Sequence, residues 1–207
     1  MCKKEVVNPD AYMRRYDANR RSDVQRSRYV EGICDSLYRE NGMPFHRVDT
    51  REWQVKGVDV IFPCIGAYVD EKAAIQEWYR HLNTYAVEMT NCVNCGGDGW
   101  MFAKCHVTTH FAFVYVESDD MYFKSVKDIE VIVVPKNVLA EYLIAHGIAC
   151  ADDAKALMRN VPVENCRRRV KANGVTLVQN LRGKEKSINV LVPRNDLRQM
   201  SQIILRR

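Results

Sequence analysis

Three charged side chains carry the strongest chemical signal in this chain, all within the run VDVIFPCIGAYVDEK at residues 58–72. Asp59 stands alone among valines and an isoleucine. Asp70 and Lys72 follow, bracketing Glu71. A carboxylate in an apolar run is costly unless it is paired, hydrogen-bonded or bound to a metal. The run reads as two short strands, roughly 57–62 and 67–72, joined by Pro63-Cys64-Ile65-Gly66. Side chains alternate along a strand, so Asp70 and Lys72 share one face and Glu71 points the other way. If the strands pair as a hairpin, Asp59 lies opposite the end that carries Asp70 and Lys72. Two carboxylates and an ammonium at one place are the minimum equipment for holding a hard divalent cation and a water beside it. The same ending also fits a solvated strand end that does no chemistry.

The elements around this run would have to position it. A helix is predicted from about Ser22 to Glu40, with Ser22 or Asp23 as cap and Asn41-Gly42 as stop. Val30, Ile33, Cys34, Leu37 and Tyr38 recur at helical spacing and form its buried stripe. Glu31 borders that stripe, either reaching toward the core or lying in solvent. A first strand is expected over 46–55. After Lys72 the apolar spacing of Ala74, Ile75, Trp78, Tyr79 and Leu82 predicts a short helix. Strands follow at 84–89, 100–104, 108–117 and 129–134, then a helix at 136–146 that stops at Gly147. Glu88 falls on the opposite face of its strand from Tyr85 and Val87. The last part reads as helices at 152–160 and 163–173, strands at 175–180 and 187–192, and a helix at 195–205. Helices alternating with strands around one mixed sheet give an α/β or α+β sandwich.

The chain has 207 residues, enough for one large domain or one domain with an appendage. No run of about 18 apolar residues is present, so no membrane span or membrane partner is expected. The first ten residues lack the apolar segment of a signal peptide. The expected compartment is the cytoplasm, where eight cysteines would stay mostly reduced. The net charge of +5 is unevenly spread. Residues 1–150 carry 18 Lys and Arg against 21 Asp and Glu, whereas residues 151–207 carry 13 against 5. A basic segment on a near-neutral body is the footprint of a nucleic-acid partner, or a solvated basic face with none.

In combination these residues resemble the PD-(D/E)XK nuclease superfamily. The resemblance rests on Glu31 in a leading helix, Asp59 in GVDV, and Asp70 with Lys72 in VDEK, eleven positions after Asp59. It covers roughly residues 22–117. The wider run VDEKAAIQEWYRHLNTYAVEMT…GWMF is similar to bacterial members of that superfamily. Val58, not Pro, precedes Asp59. The resemblance implies a restriction-endonuclease-like mixed sheet flanked by helices. Residues 1–150 would be the nuclease-like core, and residues 151–207 a basic α+β extension packed on it. It further implies a hydrolase cleaving phosphodiesters in DNA with Mg2+ or Mn2+. Asp59, Asp70 and Glu31 would be metal ligands and Lys72 would polarise the attacking water, with Glu88 in support. A homodimer is compatible with this reading.

Two further groups compete for attention. Cys92-Val93-Asn94-Cys95 is a CxxC, and Cys105 with His106 or His110 follows, so these could form a structural zinc site. The second pair is adjacent rather than spaced by two, and the preferred reading is reduced cysteines in a loop, without zinc. Arg167, Arg168, Arg169 and Lys171 on a predicted helix, and the turn with Arg182, Lys184 and Lys186, are candidate phosphate contacts. DNA is the expected ligand and RNA the other option. The alternative to a nuclease is a non-catalytic nucleic-acid-binding or zinc-stabilised interaction protein on the same scaffold.

Overall fold

A computed structural model describes residues 27–74, 82–91, 97–118, 126–181 and 186–207. The leading helix, α1, covers 27–40 and ends at Gly42, whose φ of +63° is the left-handed stop expected there. The predicted first strand shrinks to β1 (His46–Arg47), and the chain then turns into a helix, α2 (Arg51–Val55). Glu52 and Lys56, four apart, pair across that helix. β2 (Val60–Phe62) and β3 (Ala67–Ala73) form the expected antiparallel hairpin across a 3-10 turn at Pro63–Ile65. The helix predicted after Lys72 falls mostly at 75–81, outside the described residues.

β4 (Thr84–Glu88), β5 (His110–Ser118) and β6 (Val126–Pro135) follow, then α3 (Lys136–Ala145) and α4 (Ala151–Met158). The chain closes with β7 (Arg167–Ala172), β8 (Val175–Asn180), β9 (Ile188–Pro193), α5 (Arg194–Met200) and β10 (Ile203–Arg206). Three sequence expectations fail here. Residues 100–104 form turns that lay Trp100 against Phe111, not a strand. The helix expected at 163–173 is strand β7, with Arg168, Val170 and Ala172 turned inward and Arg167, Arg169 and Lys171 exposed. The last helix stops at Met200, because residues 203–206 pair with β6 instead.

The strands form two sheets. The first is mixed, in the order β1-β2-β3-β5-β6-β10, with β3 parallel to β5 and the other pairs antiparallel. The second is antiparallel, in the order β4-β9-β8-β7. The molecule is thus mixed α/β, a mixed sheet with flanking helices. Two of its strand pairings cross the boundary drawn at residue 150: β4 pairs with β9, and β6 with β10.

Each face of the first sheet has its own core. On one face Val30, Cys34, Leu37 and Tyr38 of α1 pack against Val60, Phe62, Val69, Val114 and Val131. On the other, Phe111, Phe113, Ile132 and Val134 meet the inner side of the second sheet and helices α3, α4 and α5. β5 and β6 are therefore buried on both sides, which explains their nearly unbroken apolar runs. Glu130 interrupts β6 and is only 2% exposed. Arg194 and Arg198 of α5 donate to it at 2.5 and 2.9 Å, so the buried charge is paired and fixes α5 to the sheet.

Candidate active site

The site is built at the end of the β2–β3 hairpin. Val60 faces Val69 in the last rung of the β2–β3 ladder, and Asp59 immediately precedes it. The Asp59 amide also donates to the Val69 carbonyl, at 2.9 Å, out of step with the ladder, which draws Asp59 against the part of β3 that leads into Asp70. Strand alternation then sorts β3. Asp70 and Lys72 point to the side of Phe111 and Trp100, and the Lys72 ammonium lies 2.6 Å from Asp70 Oδ1 and 5.1 Å from the Trp100 ring centroid. Glu71 points to the side of α1.

Asp70 is only 3% exposed. Its Oδ1 is paired with Lys72, but its Oδ2 is buried with no hydrogen-bond partner among the described residues. Burial pushes the Asp70 carboxyl up to about 7; Lys72 pulls the other way, and the nearby Asp59 carboxylate adds to the rise. A buried carboxylate oxygen with no partner is costly, and a cation relieves that cost.

Glu71, the least promising of the three by sequence, proves the most tightly held. Its amide donates to Asp59 Oδ2 at 2.9 Å, so the backbone of Glu71 aims the Asp59 carboxylate. Its own carboxylate accepts from the Tyr38 hydroxyl at 2.5 Å and from Arg47 Nη1 at 2.6 Å. Arg47 in turn donates to Asp35 on α1 through Nε and Nη2, at 2.9 and 2.5 Å. Burial raises the Glu71 pKa against the pull of Arg47 and Tyr38. Burial opposes the charge of Arg47 too, but Glu71 and Asp35 hold its pKa above the usual value. Tyr38 and Cys34 are both held well above their ordinary values, chiefly by burial. Arg47, Tyr38 and Asp35 carry no sequence motif; only the packing of α1 and β1 on β3 brings them to Glu71.

A cleft of about 290 Å³ opens between α1 and the end of β3. Glu31, Asp59, Glu71 and Lys72 line it, with Tyr85 from β4. Glu31 thus faces the same space as Asp59 and Lys72. Among the described residues no three His, Cys, Asp or Glu side chains gather at one point as a metal site, so the three-acid set Asp59, Asp70 and Glu31 does not converge in that sense. Glu88 lies on β4 in the second sheet, where Asn91 Nδ2 donates to it at 3.4 Å.

No family model, no curated protein and no solved structure matches the chain.

Of the zinc candidates, Cys92 and Cys95 lie outside the described residues, Cys105 is exposed, and the His106 ring packs on Gly57 and Thr108. His110 is engaged by Thr109 and by Gln202, each at 2.9 Å. Of the basic groups, Arg167, Arg169 and Lys171 share the exposed face of β7, while Arg168 turns inward and donates to Gln179 at 3.4 Å. Arg182 and Lys184 lie outside the described residues, and the exposed Lys186 accepts a bond from Gln179 at its carbonyl. No described helix is long and apolar enough to cross a membrane.

Proposed function

We propose that the chain is a Mg2+- or Mn2+-dependent nuclease of the PD-(D/E)XK type that hydrolyses phosphodiester bonds in DNA. The observation that carries the reading is the cluster at the end of the hairpin, where the Glu71 amide holds the Asp59 carboxylate at 2.9 Å and Lys72 lies 2.6 Å from the neighbouring Asp70. The order of elements supports a restriction-endonuclease-like sheet. A helix precedes the hairpin, and β3 runs parallel to β5 after a crossover.

The residues fit a hard divalent ion. Mg2+ keeps several waters and needs only one or two carboxylates from the protein. Asp70 Oδ2, which has no hydrogen-bond partner among the described residues, and the aimed Asp59 carboxylate supply these, with the Glu71 carbonyl as a further oxygen. A bound ion would offset charge developing on the phosphate and make a water more acidic. Lys72 holds an ammonium beside the same point, where it can orient the attacking water and balance phosphate charge. Glu71 keeps Asp59 in line, and Glu31 supplies a carboxylate across the cleft. The exposed stripe Arg167, Arg169 and Lys171 is suited to backbone phosphates at a distance, positioning the duplex without reading its sequence.

The test is cleavage of supercoiled and linear DNA with Mg2+ or Mn2+ by wild type, Asp70→Asn and Lys72→Ala. Each variant is expected to lose at least about 100-fold in rate with an unchanged circular dichroism spectrum. Equal cleavage by wild type and both variants refutes the site. DNA binding with no turnover by wild type in either ion points instead to a non-catalytic nucleic-acid-binding protein.

A further inference from the structure

The face of β3 that carries Asp70 and Lys72 gathers two more groups from distant parts of the chain. Lys136 opens α3 immediately after Pro135, which faces His110 across the β5–β6 ladder. Its amide donates to the Thr109 carbonyl at 2.8 Å, which fixes the start of the helix beside β5. The Lys136 ammonium lies 6.0 Å from the Phe111 ring centroid, and the Lys72 ammonium 5.1 Å from that of Trp100. Trp100 and Phe111 are in edge contact, with centroids 4.6 Å apart. Both ammoniums therefore border one aromatic pair.

His106 closes the group from the loop before β5. Gly57 runs so close beneath its ring that a Cβ there would fall 2.6 Å from Nδ1. Nδ1 is buried with no hydrogen-bond partner among the described residues. Burial, then the ammoniums of Lys72 and Lys136, hold this imidazole below its ordinary pKa. Burial lowers that of Lys136 as well, against the pull of Asp70. The Lys72 ammonium is paired with Asp70 at 2.6 Å, whereas Lys136 has no ion pair among the described residues, so an anion set against the aromatic pair would answer the charge of Lys136. Lys72, Lys136 and His106 are all half-buried, so solvent still reaches the group.

We propose that Lys136, together with Lys72 and bordered by His106, forms a phosphate-binding subsite beside Asp59 and Asp70, and that its ligand is the DNA backbone. The choice of DNA as ligand rests on the nuclease reading; the convergence of the three side chains does not. Lys136 contacts the strand and holds it against the carboxylates, while the aromatic pair keeps both ammoniums from folding back into bulk water. A compact phosphate suits the place better than a carboxylate, because its several oxygens can accept from more than one ammonium.

The test reads binding without turnover. Anisotropy of a labelled DNA duplex is measured in EDTA over about 50–200 mM salt for wild type, Lys136→Met and Lys136→Arg. The Met variant keeps the apolar stem and loses the charge. It is expected to bind about eightfold more weakly at about 0.1 M salt, with the log–log salt slope shallower by about 0.9, as for one lost phosphate contact. The Arg variant is expected to restore both. Wild-type affinity and slope in Lys136→Met overturn the subsite. So does a Lys136→Arg variant as weak as Lys136→Met, since packing and not charge would then be at issue. Dependence on Lys136 with an RNA duplex, and no DNA binding, overturns the choice of DNA. Mg2+-dependent cleavage by wild type, run in parallel, separates the two ideas. A wild type that cuts DNA while Lys136→Met binds normally sinks only the subsite. A wild type that cuts nothing yet binds through Lys136 sinks only the nuclease reading.

Discussion

Substituting Arg47 by Met takes away the cation held between Glu71 and Asp35. In the intact protein that guanidinium donates to Asp35 at 2.9 and 2.5 Å and to Glu71 at 2.6 and 3.3 Å. The Glu71 side chain is 7% exposed, and those of Arg47 and Asp35 about a fifth. Removing one partner of a buried pair costs about 3–5 kcal/mol, because the other charge is left behind. Asp35 can turn part-way to water, so the lower end applies, about 3 kcal/mol. For a chain of this length that corresponds to about 6–12 °C in Tm. Lys at 47 should recover part of it, since a point charge cannot span both carboxylates as the fork does. The deficit also has a pH signature. Burial already raises the Glu71 pKa, and without Arg47 it rises further. A carboxyl raised in the folded state binds its proton more readily there than when unfolded. Its penalty is therefore full above the folded pKa and shrinks as pH falls toward the unfolded value. Urea unfolding followed by tryptophan fluorescence should thus show a larger deficit at about pH 8 than at about pH 5. A deficit below about 1 kcal/mol, or one equal at both pH values, refutes the reasoning.

Asp70 should titrate near 7 in metal-free protein, read by carboxyl carbon NMR, and Mg2+ should move the midpoint down; a midpoint in the ordinary carboxylate range contradicts its burial. Because that folded pKa is raised, Asp70 favours the folded state least above 7 and progressively more as pH falls toward 4, so Asp70→Asn should gain on wild type in thermal melts at alkaline pH. Gly57→Ala should destabilise by about 1–3 kcal/mol, since φ is +71° and the new Cβ meets both the His106 ring and Thr108 Oγ1, and adding His106→Ala should recover only the part due to the ring. No recovery in the double variant would refute a clash with the ring and leave the cost to the backbone and to Thr108 Oγ1.

Much of this architecture is legible in the chain, where local rules dominate. The stripe Val30, Cys34, Leu37 and Tyr38 and the stop at Gly42 define α1. Alternation assigns Asp70 and Lys72 to one face of β3 and Glu71 to the other. The continuous apolar runs of β5 and β6 are plain as well. The misreadings share a cause, in that period and turn chemistry competed. RRRVKANG looks helical by composition, yet Asn173 and Gly174 both take positive φ and form the tight turn of a hairpin. That dipeptide, flanked by alternating residues, was the available signal. At 203–206 only Leu205 is buried, and pairing with β6 decides between strand and helix.

What the sequence determined by itself is the chemistry on offer, namely the types Asp59, Asp70 and Lys72 and the two-residue period that sets their faces. Their meeting depends on a register only the folded hairpin supplies. The tertiary structure alone decided what surrounds them. It brought Arg47 and Tyr38 to Glu71, so that the residue pointing away aims Asp59 through its backbone. It also carried Lys136 and His106 to the side of Asp70. The physical reason is range. Alternation and capping act over a few residues, whereas these contacts join groups tens of positions apart, fixed by which faces of the first sheet must be covered. VDEK thus names a pair of carboxylates and a lysine; the fold determines how deeply they are buried and which charges answer them.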